Sequence, residues 1–463
     1  ASADYPLYLP EEGWSEQKPE EWYAAVLDCV RKLGERQDMS AVEGISFCGQ
    51  MHGLVVLDAD DNVIRPAILW NDNRTTEECA YLNEEVGREK LLEWTGNVAF
   101  TGFTAPKLMW LKKHEPDNFA KIAKIMLPKD YIAYKISGVF GSDVSDDSGT
   151  LYFDVKNRRW SAPMLDLIGI SEAQLPAIFE STDVIGTVSP AFAAESGMST
   201  SAKIIIGGGD QAVGAVGTGT VKEGSMFVSL GTSGVVFAPC AEFAASTNGG
   251  MHVFRHANGR FHFMGCMLTS AGAMKWWAEE IVGSTVGKLL DEVDVCKTDD
   301  LLFLPYLMGE RSPLLDANAR GAFIGLSAIH TRRDLLRAVM EGVIYSQRQN
   351  LDILRGMGVK PASMLACGGG ARSPFWRQMM ADVFGLPVQT VQVPESPALG
   401  AAILAGVAAG VYPDVPSASA ALVRPGEALL PDAERSAAYE PYYRLYESLY
   451  PALKPACGRL AAL

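Results

Sequence analysis

Apolar residues recur at helical spacing between Pro19 and Leu33: Trp22, Val26, Cys29, Val30 and Leu33 share one face, Pro19 opens the run and Gly34 follows it. Glu20 and Glu21 stand at the positive end of the dipole, so the spacing predicts an amphipathic helix there. Two apolar runs then read as strands, "GISFCGQMHGLVVLD" and "NVIRPAILWND", with "ADDN" as the turn between them. "TAPKLMWLKKHEP" and "LPKDYIAYKISG" predict helices, and near residue 204 the pattern returns to a strand, glycines and a helix in "IIIGGGDQAVGAVG". From Lys222 the pattern restarts. "GSMFVSLGTSGVVFAP" predicts a hairpin around a glycine turn, "RFHFMGCML" a further strand, and Thr331 to about Leu354 a long helix capped by Thr331 with Asp334. "SMLACGGGARSPFWRQMMADVFG" repeats strand, triple glycine and helix; "VQTVQVPESPALGAAILAGVAAG" predicts a strand and then a small-residue helix able to pack closely. The stretch from Ala409 to Pro431, rich in Ala, Pro and Ser, reads as a surface linker. The Met340 to Val343 segment reads as helix core.

The repeated grammar predicts two α/β halves, each with ligand groups at strand ends. Glycine at such a turn permits positive φ and lets a phosphate reach backbone amides without a lysine. "LGTSG" (230–234) and "CGGGARS" (367–373) are the two loops of this kind, with hydroxyls from Thr232, Ser233 and Ser373. Neither a G-x-x-x-x-G-K-[ST] loop nor a G-x-G-x-x-G fingerprint occurs. Asp210 has no counterpart in the second GGG turn, where Ala371 stands. It is either a helix cap, or a general base that accepts a hydroxyl proton and also faces Mg2+. His52, in "GQMHG", is either a satisfied core residue or, between glycines and beside Gln50, a ligand contact. Trp70 in "LWND" offers an indole face beside Asn71 and Asp72, suited to a polyol. "LPKD" (127–130) and "SDVSDDSG" (142–149) read as turns and interface contacts rather than substrate contacts.

A chain of 463 residues with 48% hydrophobic positions has ample material for two domains. The net charge of −15 argues against a nucleic-acid or anionic-lipid surface. The eight scattered cysteines form no metal-ligand pattern and read as reduced thiols, and no apolar run is long enough to predict a membrane span. The opening "ASADYPLYLPEEGW" lacks Met, so residues before Ala1 are expected.

"GQMHG", "RPAILWNDNR", "GFTAPKLMWLKKHEP", "SDVSDDSGTLYFDV", "GGGDQAVGAVGTG", "SLGTSGVVF", "LPYLMGERSP", "RGAFIGL" and "GGGARSPFWRQMMADVFG", in this order and spacing, resemble the FGGY carbohydrate kinases. "GQMHG" with "PAILWND" resembles the branch acting on pentuloses. The resemblance implies two actin-like, ribonuclease H-like α/β lobes with an interdomain cleft. Residues 1–221 would form the sugar-binding lobe and 222–463 the nucleotide-binding lobe. It implies ATP and Mg2+ as cofactors, phosphorylation of D-xylulose at its C5 hydroxyl, a cytoplasmic setting and a homodimer. Position by position, Asp210 is similar to the proton acceptor. Met51, His52, Trp70, Asp210 and Gln211 would bind sugar. Gly231, Thr232 and Ser233 would cradle the β and γ phosphates, and Gly369, Gly370, Ala371 and Ser373 the α phosphate and adenosine. "GERSP" is a family motif for which the residues give Arg311 no role. Two departures stand out. The family's opening D-x-G-T-x-x-x-K hairpin is expected upstream of Ala1, and Gln211 stands where the family pattern has Asn. Three other readings are a kinase for another ketose or a sugar acid, an actin-like ATP-driven switch, and a sugar sensor with a dead active site. "GQMHG" and "LWND" argue against the switch, which has no need of polar cleft residues.

Overall fold

The computed structural model describes residues 1–246, 249–290, 300–392 and 396–461. The first helix, α1 (Pro19–Gly34), forms where the apolar spacing placed it and buries Trp22, Leu27 and Val30. The "GQMHG" glycines end β1 (Gly44–Gly49), and the chain turns away through His52, which has a positive φ of 69°. Helices α2 (Thr104–His114) and α3 (Pro128–Ser137) follow as expected, α3 starting on a proline and ending at left-handed Gly138. The run "NVIRPAILWND" contributes only the two-residue strand Ala67–Ile68, because Pro66 lacks a ladder donor.

The first half closes on β2 (Val184–Thr187), β3 (Lys203–Gly209) and α4 (Asp210–Thr218). Its sheet has the order β2-β3-β1, with β3 parallel to β1. Among the described residues β1 is paired on one side only, and all six of its residues are half-buried. The second half carries a six-stranded sheet whose members are β4 (Phe227–Leu230), β5 (Gly234–Cys240), β6 (His252–Arg255) and β7 (Phe261–Met267), then β8 (Met364–Cys367) and β9 (Val388–Gln389). Its order is β6-β7-β5-β4-β8-β9, antiparallel up to β4 and parallel from β4 through β8 to β9.

Helix α5 (Arg332–Gly356) opens on the Thr331/Asp334 capping box and buries Met340, Glu341 and Val343, as core. It is followed by α6 (Pro374–Phe384) and by α7 (Ser396–Ala408), the small-residue helix. Here the structure corrects the sequence: the supposed linker folds into α8 (Val415–Leu422), capped by Asp414 Oδ1 on the Ser417 N–H, with Val415 and Ala418 buried. The last helix, α9 (Ala433–Ala461), buries Tyr439, Tyr443, Tyr446 and Tyr450 along one stripe.

Among the described residues the halves meet at edge strand β6 and where α4 crosses α7, as well as around Arg311. Edge strand β6 is closed by a side chain: Asn97 Nδ2 donates to the Val253 carbonyl (3.0 Å) and the Val253 N–H donates to Asn97 Oδ1 (3.2 Å). Next to it the Arg255 N–H donates to Ser148 Oγ (2.9 Å). In the second place α4 crosses α7 at van der Waals range, where a Cβ on Gly217 or Gly400 would overlap the Ser396 or Val213 carbonyl. Ser419 Oγ of α8 donates to the Val216 carbonyl at 2.9 Å. The cysteines described are all free thiols; Cys296 lies outside the described residues. No described helix is long and apolar enough to cross a membrane.

Candidate active site

Two parallel strands end together in the first half. The register pairs Gly49 with Gly209, so residues 50–52 and 210–211 leave the same sheet edge side by side. The ladder slips between Ile205 and Gly208, and within that bulge Gly207 adopts φ 71° with its Cα against the Phe47 carbonyl, where a Cβ would not fit. Met51 is buried and its Cγ lies 2.8 Å from where a Cβ on Gly209 would stand. His52 is buried too, and its Nδ1–H donates to the Gly149 carbonyl at 2.8 Å, which leaves Nε2 as the acceptor. Burial, then the nearby Lys107 charge, hold the imidazole neutral, far below its ordinary range. Its backbone carbonyl accepts from Lys107 Nζ (2.8 Å) and Thr104 Oγ1 (3.2 Å), which fixes the left-handed turn.

Asp210 is the first residue of α4 and the cap position belongs to Gly209, so it does not stand where a helix-capping side chain would. Its carboxylate is half-buried, and among the described residues no cation pairs with it. Burial lifts its pKa to about 6, opposed by the Gln211 amide and side chain and by its own N–H. A carboxylate poised there is largely ionised at neutral pH yet basic enough to take a proton.

Behind it lies a buried ionic scaffold built from the two segments read from sequence as turns and interface contacts. The Gly209 N–H donates to Ser145 Oγ (3.1 Å), which donates to Asp143 Oδ2 (2.6 Å); Ser181 Oγ donates to the same oxygen (2.7 Å). Lys129 Nζ bridges Asp130 (2.6 Å) and Asp143 (3.0 Å). Interface contact does occur, through Ser148, and Asp143 does cap the short helix Val144–Asp147. The alternation of acid and hydroxyl was visible in the sequence, but not its near-complete burial. Burial also pushes Asp146 and Asp147 well above their ordinary carboxyl value.

The second half repeats the arrangement. Strands β4 and β5 form the expected hairpin, pairing Leu230 with Gly234 around Gly231, Thr232 and Ser233. Parallel β8 sets Cys367 beside Ser229, and Gly368 (φ 84°) presses on the Leu230 carbonyl. The GTSG and GGGARS loops therefore lie edge to edge. Gly369 is exposed, with nothing within 4 Å of a Cβ position. The Ala371 N–H is spent on the Gly368 carbonyl and the Ser373 N–H on that of Gly370, both at 3.2 Å, while Ser373 Oγ accepts the Trp376 N–H to cap α6. Free backbone donors for a phosphate thus narrow to the Gly369–Gly370 stretch and the hairpin loop. Sequence reasoning missed the segment that braces this hairpin: the Ser270 and Gly272 N–H groups donate to the Thr232 carbonyl (2.9 and 3.2 Å). "TSAG" (269–272) was its only trace.

A cavity of about 540 Å³ beside β1 is lined by Trp22, Phe47 and Gln50, among others. A second, of 770 Å³, opens between the halves. Trp70 and Asn71 line it from one side, Thr232 and Ser233 from the other, with Arg311 between. The candidate residues therefore fall into two groups. Met51, His52, Asp210 and Gln211 share the β1/β3 strand ends, and Trp70 faces the GTSG hairpin across the larger cavity. No group of three or more metal-ligating side chains occurs among the described residues. The partly exposed Asp210 carboxylate fits an Mg2+ ion that takes most of its ligands from phosphate and water.

The model of the FGGY family of carbohydrate kinases, N-terminal domain, matches residues 1–217, and that of the C-terminal domain matches residues 226–409. The chain is 41% identical over 454 residues to the xylulose kinase of Escherichia coli (strain K12), covering 96% of this chain and 92% of that protein. A solved structure described as a xyloylose kinase from Brucella ovis superposes with a TM-score of 0.92 at 39% identity, covering 97% and 93% of the two chains. One of a gluconate kinase from Lactobacillus acidophilus superposes with a TM-score of 0.94 at 26% identity, covering 99% and 94%. The two α/β halves, the strand-end carboxylate and the glycine loops thus occur in a chain whose two halves both match: the protein belongs to the FGGY family of carbohydrate kinases.

Proposed function

We propose that this carbohydrate kinase transfers the γ-phosphoryl group of ATP to the C5 hydroxyl of D-xylulose, with Asp210 as general base. The observation that carries the reading is the half-buried, cation-free Asp210 carboxylate, lifted to about 6 at the paired ends of β1 and β3. The curated relative from E. coli, a xylulose kinase across nearly its whole length, supports the sugar. In this reading residues 1–221 and 222–463 are the two lobes. Neutral His52 accepts a hydrogen bond from a sugar hydroxyl at Nε2, Gln211 hydrogen-bonds a neighbouring hydroxyl, and Trp70 stacks on the sugar's C–H face. Asp210 accepts the C5 hydroxyl proton as that oxygen attacks phosphorus. The backbone N–H groups of Gly231–Ser233 and of Gly369–Gly370 stabilise charge on the phosphates, and closure of the halves excludes water. Asp210 is the residue that would hold Mg2+, which would supply charge neutralisation at the phosphoryl group. A cytoplasmic homodimer is part of the same proposal.

The test is ATP turnover against a panel of D-xylulose, D-ribulose, D-gluconate and no sugar. D-xylulose should give the highest kcat/KM, by roughly 100-fold over the sugar acid, because a polar pocket shaped for one set of hydroxyls leaves others unpaired. Turnover indifferent to every sugar would instead identify an ATP-driven switch.

A further inference from the structure

Among the described residues the Arg311 guanidinium forms no ion pair, and the carboxyl beside it, Glu310, is turned to backbone amides. Its loop is firmly held: the Arg311 N–H donates to Glu310 Oε1 (2.7 Å), as does the Leu268 N–H (2.8 Å), and the Ser312 N–H donates to the Cys266 carbonyl (2.9 Å). Its side chain has no such anchor. Among the described residues no carboxylate lies in ion-pair range of the guanidinium and no oxygen accepts from it. The adjacent Glu310 is buried, with Oε1 turned to the two amides; burial lifts it to about 8, opposed by those amides and then by the Arg311 charge. A half-buried guanidinium ordinarily sits on a carboxylate, because its N–H fork is costly to leave unfilled.

The direction of that fork is set by its neighbours. One terminal nitrogen lies 2.9 Å from where a Cβ on Gly102 would stand, a point that also crowds the Trp70 carbonyl. The group lies over the Phe100 ring at 5.8 Å and lines the cavity shared by Trp70, Asn71, Thr232 and Ser233. Burial is the main cause that holds His52 and His252 low, and the Arg311 charge adds to it; at Cys266 the Arg311 charge opposes both burial and Asp210. A second-half cation is thus aimed at the first-half wall that carries Trp70 and Phe100.

We infer that Arg311 is a substrate-positioning residue which donates to acceptor oxygens of the open-chain keto sugar, the carbonyl among them, and thereby ties sugar binding to approach of the two halves. A guanidinium donates only and a ketone oxygen accepts only, so the pair is complementary. This inference rests on the D-xylulose reading.

The experiment measures KM for D-xylulose, KM for ATP and kcat in wild type, Arg311→Met and Arg311→Lys, with melting curves to certify folding and calorimetric binding of D-xylulose in the absence of ATP. Arg311→Met should raise KM and the dissociation constant for D-xylulose by at least about tenfold, with KM for ATP within about twofold. Arg311→Lys, which restores charge without the fork, should recover part of that loss. Sugar KM and binding unchanged in Arg311→Met, or a rise in KM for ATP alone, would overturn the inference and assign the group to the phosphates. A wild-type protein that does not turn over D-xylulose would overturn the reading beneath it instead.

Discussion

Asp210→Asn loses sugar-dependent ATP turnover by roughly 10³-fold or more, because the general base and the carboxylate facing the phosphoryl charge disappear together. D-xylulose binding, followed by calorimetry, stays within a few-fold, since the amide can still accept a hydrogen bond. The same substitution stabilises the fold, and the pH window follows from the sign of the shift. A carboxyl raised from 3.8 to about 6 is disfavoured in its ionised form by the folded protein. The penalty is absent below pH 3.8, grows between there and 6, and is complete above it. Two pH units correspond to about 3 kcal/mol as an upper bound, and the partial exposure of Asp210 reduces it to about 1–2 kcal/mol. Denaturant unfolding at pH 8 should therefore show Asp210→Asn to be the more stable protein, with the gap closing toward pH 4. Activity and stability are opposed at this position, as expected of a group kept for chemistry.

Gly207→Ala is expected to have the largest effect on the fold. The residue sits in the β3 bulge at φ 71°, and a methyl group there would fall on the Phe47 carbonyl of the neighbouring strand. A left-handed alanine alone costs about 1–2 kcal/mol. The clash adds displacement of β1 against β3, and with it the alignment of Met51 with Asp210, for a total above about 4 kcal/mol. Gly138→Ala is the control, since Gly138 has φ 77° but nothing within 4 Å of a Cβ position, and it should cost only the backbone term. Thermal melts of the two variants separate strain from collision. A Gly207→Ala protein as stable as Gly138→Ala would contradict the packing described for the strand end.

Local chemistry was legible in the sequence. Thr331 with Asp334, Pro19 with Gly34, and the GTSG hairpin are fixed by contacts within a few residues, and each formed where the pattern placed it. The two glycine turns were legible for the same reason. What could not be read was set by pairing across the chain. The Gly49–Gly209 register joins segments 160 positions apart and decides which residues stand beside Asp210. Lys129 lies in a segment that reads as a turn or interface contact, and only the fold shows it enclosed by Asp130 and Asp143. The Ala/Pro/Ser stretch reads as a linker because its apolar side chains are small, and it forms helix α8 capped by Asp414 and docked on α4 and α7. Arg311 gave no sign of its environment, since the absence of a partner is a property of the folded cleft.

The most direct test of Asp210 as the base is the pH dependence of kcat/KM for D-xylulose, which reports the ionisation of the unliganded enzyme. kcat/KM should fall on the acid side as a single proton binds, with a midpoint near pH 6, about two units above an ordinary aspartate. A profile that stays flat through pH 6 and breaks only near pH 4 would contradict the assignment.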